Sequence, residues 1–371
     1  MGLNMGRRFV TLFPYTYNVN LMKDVGCIPY VLYKKYGYDS TIVSFKNDDY
    51  EYLHKYVSGL KIEFLPNGNE RIESVKYVLK NAKKIDVLNM YHMSIGKSLL
   101  CFNLYKMLNK NGVGYLKLDL DFKTLDIIEN YNGLKKFIIR LMANKVDIIS
   151  AESTLIAKKM EDILNRTVEY IPDGVLEYKN ESSEIDLNKK KKNCFLTVGR
   201  LGTEQKATEQ LVEAFIKIRD NTKWNLWLVG SCEDKFTNYL DRLFERYPDL
   251  KERINVTGEI LDKDKLTEIY RSSNILVLPS KYESFALVNV EGMLEGCRLL
   301  LSDRVAPAND FKKMGGFCEV VEFGDVKQLA DRMISMSESA YDANQIAKIA
   351  ADNFLWEKIC GKIDKLISKH E

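Results

Sequence analysis

The segment NILVLPSKYESFALVNVEGMLEG, residues 274–296, begins with an apolar run of strand length that ends at Pro279. A short polar loop follows, and Ser284 stands at its end as a favourable helix N-cap. Apolar residues then recur at intervals of three and four: Leu287, Val290, Met293 and Leu294. This pattern predicts a buried strand followed at once by a helix that begins near Ser284.

The same alternation of strand and helix extends along the chain in both directions from this segment. The strand-like runs are apolar throughout rather than alternating, which is expected when helices cover both faces of a sheet. Helical patterns of about ten to twenty residues separate most of them, an order typical of parallel α/β sheets. These runs are RFVTLF, STIVSF, DVLNM, VDIISA, CFLTV, WNLWLVG and RLLLS.

A polar stretch divides the chain into two parts. Residues 176–193 are charged and lack apolar periodicity, and we interpret them as a linker whose lysines, Lys189 to Lys192, are solvated. The chain of 371 residues is long enough for two domains. We therefore expect Rossmann-like domains at 1–175 and 194–354, with parallel sheets that face an interdomain cleft. Ligands of such sheets bind at the carboxyl ends of the strands.

Composition excludes several classes of protein. The 55 basic and 52 acidic residues nearly balance, so a chain built mainly to bind nucleic acid is not indicated. Seven cysteines are scattered without a CxxC, and three histidines form no HExxH, so neither a disulfide framework nor a metal site is expected. A reducing, cytoplasmic location fits this cysteine usage best.

The segment NMYHMSIGKS, residues 89–98, follows a strand and ends like a phosphate-binding P-loop. The P-loop pattern requires glycine where Tyr91 stands, because a bulky side chain would obstruct the amides that hold phosphate. We therefore do not expect a P-loop. The chain also contains no GxGxxG, which argues against a conventional dinucleotide dehydrogenase.

A better candidate for phosphate binding is TVGRLGTEQKATEQLVEAF, residues 197–215. A strand ends at Gly199, and the loop carries Arg200 and Lys206 before an amphipathic helix. An arginine fork and a mobile lysine beside the positive end of a helix suit a diphosphate. The alternative is that these are ordinary solvated cations of a surface loop.

One glutamate stands just before the helix predicted to begin near Ser284, and another stands about two turns inside it. Glu283 and Glu291 are eight residues apart, about 12 Å if the segment is helical. The backbone amides of Phe285, Ala286 and Leu287 would lie between them at the positive helix end. One carboxylate would then hold sugar hydroxyls and the other ribose hydroxyls. A chance spacing of two glutamates remains the alternative.

At these two segments the chain resembles family 4 glycosyltransferases, retaining enzymes of the GT-B fold. The first motif of that family is matched by Val198, Gly199, Arg200, Leu201 and Lys206. The second, L-P-S-x-x-E-[ST]-F-x-L followed by V-E, is matched by Leu278, Pro279, Ser280, Glu283, Ser284, Phe285, Leu287, Val290 and Glu291. The resemblance is good over residues 194–334.

The resemblance implies that Arg200 and Lys206 bind the donor diphosphate, Glu283 the donor sugar and Glu291 the ribose, in a donor site that also includes Gly199. It implies a hexosyltransferase that needs neither a metal nor another cofactor, because protein cations take the electrostatic role of the metal. The departing phosphate would help to deprotonate the acceptor hydroxyl. A UDP-sugar is the favoured donor.

The first domain resembles the family more faintly and is expected to bind the acceptor. His92 follows a strand where the family often has a histidine, and Asp119 or Asp121 stands where another is usual. The family's glycine-rich first loop is replaced by FPYTYNVNLM, residues 13–22, which makes Tyr15 a further candidate for the acceptor side. The end of the chain, residues 355–371, resembles the helix that returns to the first domain.

Several alternatives stay open at this point. The acceptor is a glycan, a lipid-linked sugar or a protein side chain. A catalytically silent nucleotide-sugar-binding partner subunit and a nucleotide-sugar epimerase of the same fold are rival functions.

A second open question is contact with a membrane. Residues 133–145, GLKKFIIRLMANK, predict an amphipathic basic helix. That helix either rests peripherally on the inner membrane face or packs its apolar side into the core, with its lysines in water.

Overall fold

The computed structural model describes residues 6–176 and 185–370 of the chain. The chain divides into two compact units. Unit 1 comprises Met1–Tyr178 together with Phe354–Glu371, and unit 2 is the continuous segment Lys179–Asn353. Residues 177–184 of the expected linker lie outside the described residues.

Unit 1 contains a seven-stranded sheet in which every neighbouring pair is parallel, in the order β3-β2-β1-β4-β5-β6-β7. The central strands β1, β4 and β5 are buried almost throughout, which explains their continuous apolar sequences. The strands are β1 Arg8–Leu12, β2 Asp39–Ser44, β3 Lys61–Phe64, β4 Val87–Tyr91, β5 Val113–Lys117, β6 Ile148–Ala151 and β7 Glu169–Tyr170.

Four helices of unit 1 begin at a polar N-cap residue whose side chain caps the first turn. The side chains of Asn69, Asp121, Asn132 and Ser153 accept hydrogen bonds from backbone N–H groups of the first turns. The helices are α1 Asp24–Tyr36, α2 Tyr52–Lys55, α3 Glu70–Asn81, α4 Leu100–Leu108, α5 Phe122–Glu129, α6 Gly133–Ala143 and α7 Thr154–Leu164.

Unit 2 contains a six-stranded parallel sheet in the order β10-β9-β8-β11-β12-β13. Strands β8, β11 and β12 are buried along their whole length. The strands are β8 Cys194–Val198, β9 Asn225–Val229, β10 Ile254–Gly258, β11 Ile275–Leu278, β12 Arg298–Ser302 and β13 Cys318–Val321. The prediction of two α/β domains with parallel sheets is confirmed.

Helices of unit 2 pack their apolar faces onto this sheet. Leu211, Val212 and Phe215 of the first helix join Leu329 and Met333 of a later helix in one buried cluster. The helices are α8 Thr208–Ile218, α9 Asp234–Arg246, α10 Lys263–Ser272, α11 Val288–Leu294, α12 Ala308–Met314, α13 Val326–Glu338 and α14 Ala343–Phe354.

The second half of the expected linker is folded onto unit 2, which corrects that prediction. Residues Leu187–Lys190 form a 3₁₀ turn, and Asn188 Nδ2 donates to Asp342 Oδ1 at 3.1 Å. Lys191 is not solvated, because its Nζ donates to the carbonyl oxygens of Ser273 at 2.7 Å and Glu295 at 2.6 Å. Burial lowers the pKa of Lys191. Polar composition alone did not reveal these partners, which lie far along the chain.

The last helix, α15 Trp356–Ser368, packs within unit 1. Its apolar face joins Cys27, Ile28, Val31 and Leu32 of α1 in one buried cluster. Trp356 is completely buried, and its backbone N–H donates to the carbonyl oxygen of Val175 at 3.0 Å. No helix in the described ranges is long and apolar enough to cross a membrane.

We expect Trp356→Ala to lower the free energy of unfolding of unit 1 by about 3–5 kcal/mol, because removing a buried indole leaves a cavity. Lys358→Ala, at an exposed position of the same helix, is the matched control and should change stability little. Calorimetric unfolding of both variants provides the measurement. Equal transition temperatures for the two variants would contradict the packing described for α15.

Candidate functional site

The loop after β8 is shaped by a close approach of two backbones. Gly199 has a φ of 154°, and a Cβ at this position would lie 3.1 Å from Cε of Lys206. A Cβ on Gly230 would lie 1.8 Å from the carbonyl oxygen of Gly199, so glycine is required there. The loop therefore returns tightly over the end of the sheet and brings the aliphatic stem of Lys206 against Gly199.

The side chains of Arg200, Lys206 and Glu283 form one connected network. Lys206 Nζ donates to Glu283 Oε1 at 2.5 Å, and both side chains are largely shielded from solvent. Gln205 links the remaining partners: its Oε1 accepts from Arg200 Nη2 at 3.0 Å, and its Nε2 donates to Glu283 Oε2 at 3.4 Å. Three residues singled out in the sequence are thus brought together, with Gln205 as the connecting amide.

The loop that carries Glu283 is held on both sides by main-chain bonds. Glu283 N–H donates to the carbonyl oxygen of Arg304 at 3.2 Å, and Ala306 N–H donates to that of Glu283 at 3.1 Å. Lys281 N–H donates to the carbonyl oxygen of Gln205 at 2.7 Å, which fastens this loop to the one after β8. Main-chain hydrogen bonds therefore fix the backbone from which the Glu283 side chain extends toward Lys206 and Gln205.

The predicted helix start at Ser284 is wrong. The helix α11 begins at Val288 with Leu287 as its N-cap, four residues later than expected. Ala286 has a φ of 62°, which a right-handed helix does not accommodate, so the chain turns here before the helix starts. Phe285 is buried against Phe311, with ring centroids 5.9 Å apart. The proposed row of helix-end amides at residues 285–287 therefore belongs to a turn.

Glu291 lies inside α11 and has a partner that the sequence did not reveal. Tyr270 at the end of α10 donates its hydroxyl to Glu291 Oε2 at 2.9 Å. Burial raises the pKa of Glu291, and the Tyr270 hydrogen bond opposes that rise. The tyrosine hydrogen bond fixes the orientation of the carboxylate.

In unit 1, a fully buried lysine lies at the carboxyl end of β5. Lys117 Nζ is 2.5 Å from Glu152 Oε1, 2.8 Å from Asp173 Oδ1 and 3.6 Å from Asp24 Oδ2. The three carboxylates belong to the loop after β6, the loop after β7 and the start of α1. One ammonium thus ties together four separate parts of the unit 1 chain. We refer to these four side chains as the Lys117 cluster.

The Lys117 cluster holds more negative than positive charge, and the pKa values of its members reflect this. Burial raises the pKa of Glu152 to about 7, against the lowering effect of Lys117. Burial raises the pKa of Asp24 as well, and the charge of Asp173 adds to the rise. Burial disfavours the charge of Lys117, yet the surrounding carboxylates raise its pKa overall. The ammonium stays charged, and the surplus negative charge favours a retained proton on the carboxylates.

His92 and Asp119 lie next to each other, and each contacts a residue of the Lys117 cluster. Both have left-handed backbone conformations, with φ values of 58° and 44°, and His92 Nε2 lies 3.4 Å from Asp119 Oδ2. His92 N–H donates to the carbonyl oxygen of Lys117 at 3.0 Å, and Asp119 N–H donates to Glu152 Oε1 at 3.1 Å. The cluster therefore holds the strained backbone of both residues in place.

The other two acceptor-side candidates lie elsewhere. Asp121 is the N-cap of α5, where Oδ1 accepts from Thr124 N–H at 2.7 Å, so a structural role accounts for it. Tyr15 is about half exposed, and its ring lies 5.9 Å from that of Phe45.

Sequence reasoning missed most of the Lys117 cluster. Its signal was present in YLKLDLD, where Lys117 interrupts an apolar strand that must be buried. A lysine at such a position requires carboxylates from neighbouring strand ends, since an unpaired buried charge is costly. Which carboxylates supply that charge depends on strand order, because β5 lies between β4 and β6.

Comparison with known structures assigns the fold. A glycosyltransferase from Rickettsia africae superposes with a TM-score of 0.75 at 16% identity, covering 99% of both chains. The Anabaena protein Alr3699/HepE, solved in complex with UDP, gives a TM-score of 0.70 at 15% identity, covering 98% of this chain and 100% of the other. The chain has the two-domain α/β fold of GT-B glycosyltransferases.

Sequence comparison finds similarity to one family model and to curated relatives. Residues 179–353 match the family model described as glycosyl transferases group 1, a range that coincides with unit 2. An uncharacterized 41.2 kDa protein in the cps region of Klebsiella pneumoniae is 25% identical over 276 residues, 71% of each chain. Unit 2 is thus similar to group 1 glycosyltransferases, and this similarity specifies neither donor nor acceptor.

The raised pKa of Glu152 predicts a pH dependence of stability. Because the folded-state pKa of about 7 lies above the ordinary value of 4.5, the stabilisation from the protonated group is present at low pH and lost as the pH rises. We expect wild-type stability to fall between about pH 5 and 8, and Glu152→Gln to reduce this fall by about 1–3 kcal/mol.

Urea unfolding at a series of pH values measures this slope for both proteins. Glu51→Gln, at an exposed position of unit 1, is the control and should leave the slope unchanged. A wild-type slope equal to that of Glu152→Gln would refute the assignment of a retained proton to this carboxylate.

Proposed function

We propose that this protein is a retaining, metal-independent hexosyltransferase that transfers a sugar from a nucleotide-diphosphate donor, with UDP as the favoured nucleotide. The observation that carries the proposal is the network in which Arg200 and Lys206 converge with Glu283 at the end of a parallel sheet. Two similarities support the proposal. Unit 2 matches the family model of group 1 glycosyltransferases, and the structurally similar Anabaena protein was solved in complex with UDP.

Donor binding is assigned to the network in unit 2. Lys206 and Arg200 bind the diphosphate, and Glu283 accepts hydrogen bonds from hydroxyls of the sugar. Lys206 already has an anionic partner in Glu283, at 2.5 Å. A diphosphate competes for the ammonium, and its arrival frees the Glu283 carboxylate for the sugar. Glu291, oriented by Tyr270, accepts from the ribose hydroxyls.

The chemistry requires charge stabilisation more than a protein nucleophile. The bond between the anomeric carbon and the phosphate oxygen breaks, and a bond from the acceptor hydroxyl to the same face of that carbon forms. The hydroxyl proton passes to the departing phosphate oxygen. Arg200 and Lys206 stabilise the charge that develops on the diphosphate, the role that a metal ion has in other transferases.

Acceptor binding is assigned to unit 1. Asp119 is proposed to accept a hydrogen bond from an acceptor hydroxyl, with His92 as its partner at 3.4 Å. Glycans, lipid-linked sugars and protein hydroxyls all present the group that this pair recognises. Glu152 and Lys117 position the pair through backbone contacts and do not touch the substrate in this assignment.

The loop of residues 13–22 favours one rival, a nucleotide-sugar-binding subunit without activity. Bulky residues stand here where the family that the chain resembles has a glycine-rich loop. The loop is held in place by two hydrogen bonds: Asn47 Nδ2 donates to the carbonyl oxygen of Pro14 at 2.9 Å, and Tyr50 OH donates to that of Thr16 at 2.8 Å. Such a subunit would bind the nucleotide and release no sugar. An epimerase would convert the donor sugar without transferring it.

We expect UDP or its sugars to raise the unfolding temperature in a thermal-shift screen, since a ligand of the native state stabilises it. Donors that bind are then incubated with oligosaccharide and lipid-linked acceptors, and NMR identifies the product and its anomeric configuration. Retained configuration and turnover in EDTA would support the proposal. Inversion, binding without turnover, or epimerised donor would each contradict it.

We expect Lys206→Ala and Glu283→Gln each to lower the transfer rate at least about tenfold, a loss of roughly 1.4 kcal/mol of transition-state stabilisation. Each removes one charge of the network that contacts the donor. Lys281→Ala is the matched control, because Lys281 lies in the same loop but pairs with Glu204. Wild-type rates in folded Lys206→Ala protein would refute the donor assignment.

A further inference from the structure

The helix α6 presents an apolar stripe to solvent, the reverse of the packing that amphipathic helices usually show. Leu134, Phe137 and Leu141 are 70%, 62% and 60% exposed, and Ile138 is also exposed. Their spacing of three, four and seven residues places all four on one side of the helix. Ile139 and Ala143 are the buried residues, on the opposite side. Of the two alternatives left open for this helix, the one in which its apolar side packs into the core is therefore wrong.

Exposed apolar side chains are concentrated around this helix. Of the 17 large hydrophobic residues that are exposed in the described parts of the chain, four lie in α6. Met107 and Leu108 at the end of α4 are exposed too, and α4 contacts α6 through a hydrogen bond from Asn103 Nδ2 to the carbonyl oxygen of Met142 at 3.1 Å. A local concentration of this kind marks an interaction surface.

Positive charge borders the stripe. Residues 133–145 contain four basic residues and no acidic residue. Lys135 and Arg140 lie on opposite sides of the stripe, and Lys145 follows the end of the helix. Lys135 Nζ lies 3.3 Å from the centroid of the Tyr131 ring, and Arg140 Nε donates to the carbonyl oxygen of Ile163 at 2.6 Å. These contacts hold the cations beside the stripe without neutralising them.

We propose that the stripe of Leu134, Phe137, Ile138 and Leu141, with its bordering cations, docks onto an anionic lipid surface. The apolar side chains enter the boundary between headgroups and acyl chains, and the lysine and arginine side chains meet the lipid phosphates. The complementary charge argues for anionic lipid over a second copy of this chain, whose α6 would bring the same four cations. This inference stands independently of the proposed transfer reaction.

Vesicle flotation tests the proposal with the full chain. We expect binding to vesicles of phosphatidylglycerol and phosphatidylcholine at low salt, weaker binding at high salt and little binding to pure phosphatidylcholine. Phe137→Gln/Leu141→Gln should lower the apparent association constant at least about tenfold, because both side chains lose their apolar contact with lipid. Lys135→Gln/Arg140→Gln should reduce binding and its salt dependence.

One control variant and one reporter variant complete the experiment. Leu261→Gln removes an apolar side chain that is 82% exposed in unit 2, and should leave flotation unchanged. Phe137→Trp adds a reporter to a helix that contains no native tryptophan, and its emission should shift to shorter wavelength with anionic vesicles.

Three results would overturn the proposal. The first is absence of flotation at low salt with anionic vesicles, and the second is equal flotation of wild type and Phe137→Gln/Leu141→Gln. The third is a dimer in sedimentation equilibrium that the same double substitution dissociates, which would assign the surface to a second copy of the chain.

Discussion

Unit 1 depends on the pairing of one buried ammonium with three carboxylates. Lys117 takes its partners from α1, from the loop after β6 and from the loop after β7, so a single charge fixes the relative positions of distant chain segments. Removing either sign would leave the other buried without compensation, a cost of several kcal/mol. The same arrangement supports the strained backbones of His92 and Asp119. The Lys117 ion pairs thus both stabilise unit 1 and position His92 and Asp119 at the strand ends.

In unit 2, a single ion pair joins two loops that follow different strands. Lys206 and Glu283 belong to loops that are 77 residues apart in sequence, and each loop is also fastened by main-chain hydrogen bonds. The ion pair is partly shielded, so its energy is larger than that of a solvent-exposed pair yet still open to competition. In the proposed donor site, a dianionic ligand would compete for the ammonium, and the Glu283 carboxylate would keep its hydrogen bond from Gln205 Nε2. The pair is suited to an exchange of partners.

The fold could be predicted from sequence because buried strands have continuous apolar sequences, such as CFLTV and RLLLS, that can be recognised directly. The grouping of Arg200, Lys206 and Glu283 was also accessible, since all three stand in loops after strands. The start of α11 was not, because the positive φ of Ala286 has no signature in a residue that usually favours helix. Lys191 and the partners of Lys117 depend on contacts between remote segments, which a linear pattern does not encode.

The return of α15 to unit 1 has a consequence for the newly made chain. Unit 2 is continuous and is complete once Asn353 has been synthesised, whereas unit 1 lacks Trp356 and its buried neighbours until α15 has left the ribosome. Domains generally fold as units in the order of synthesis, but here the first sheet must wait with the surface beneath α15 uncovered. A chain that stops early, by a nonsense codon or a protease, would therefore release a finished second domain attached to an unfinished first one.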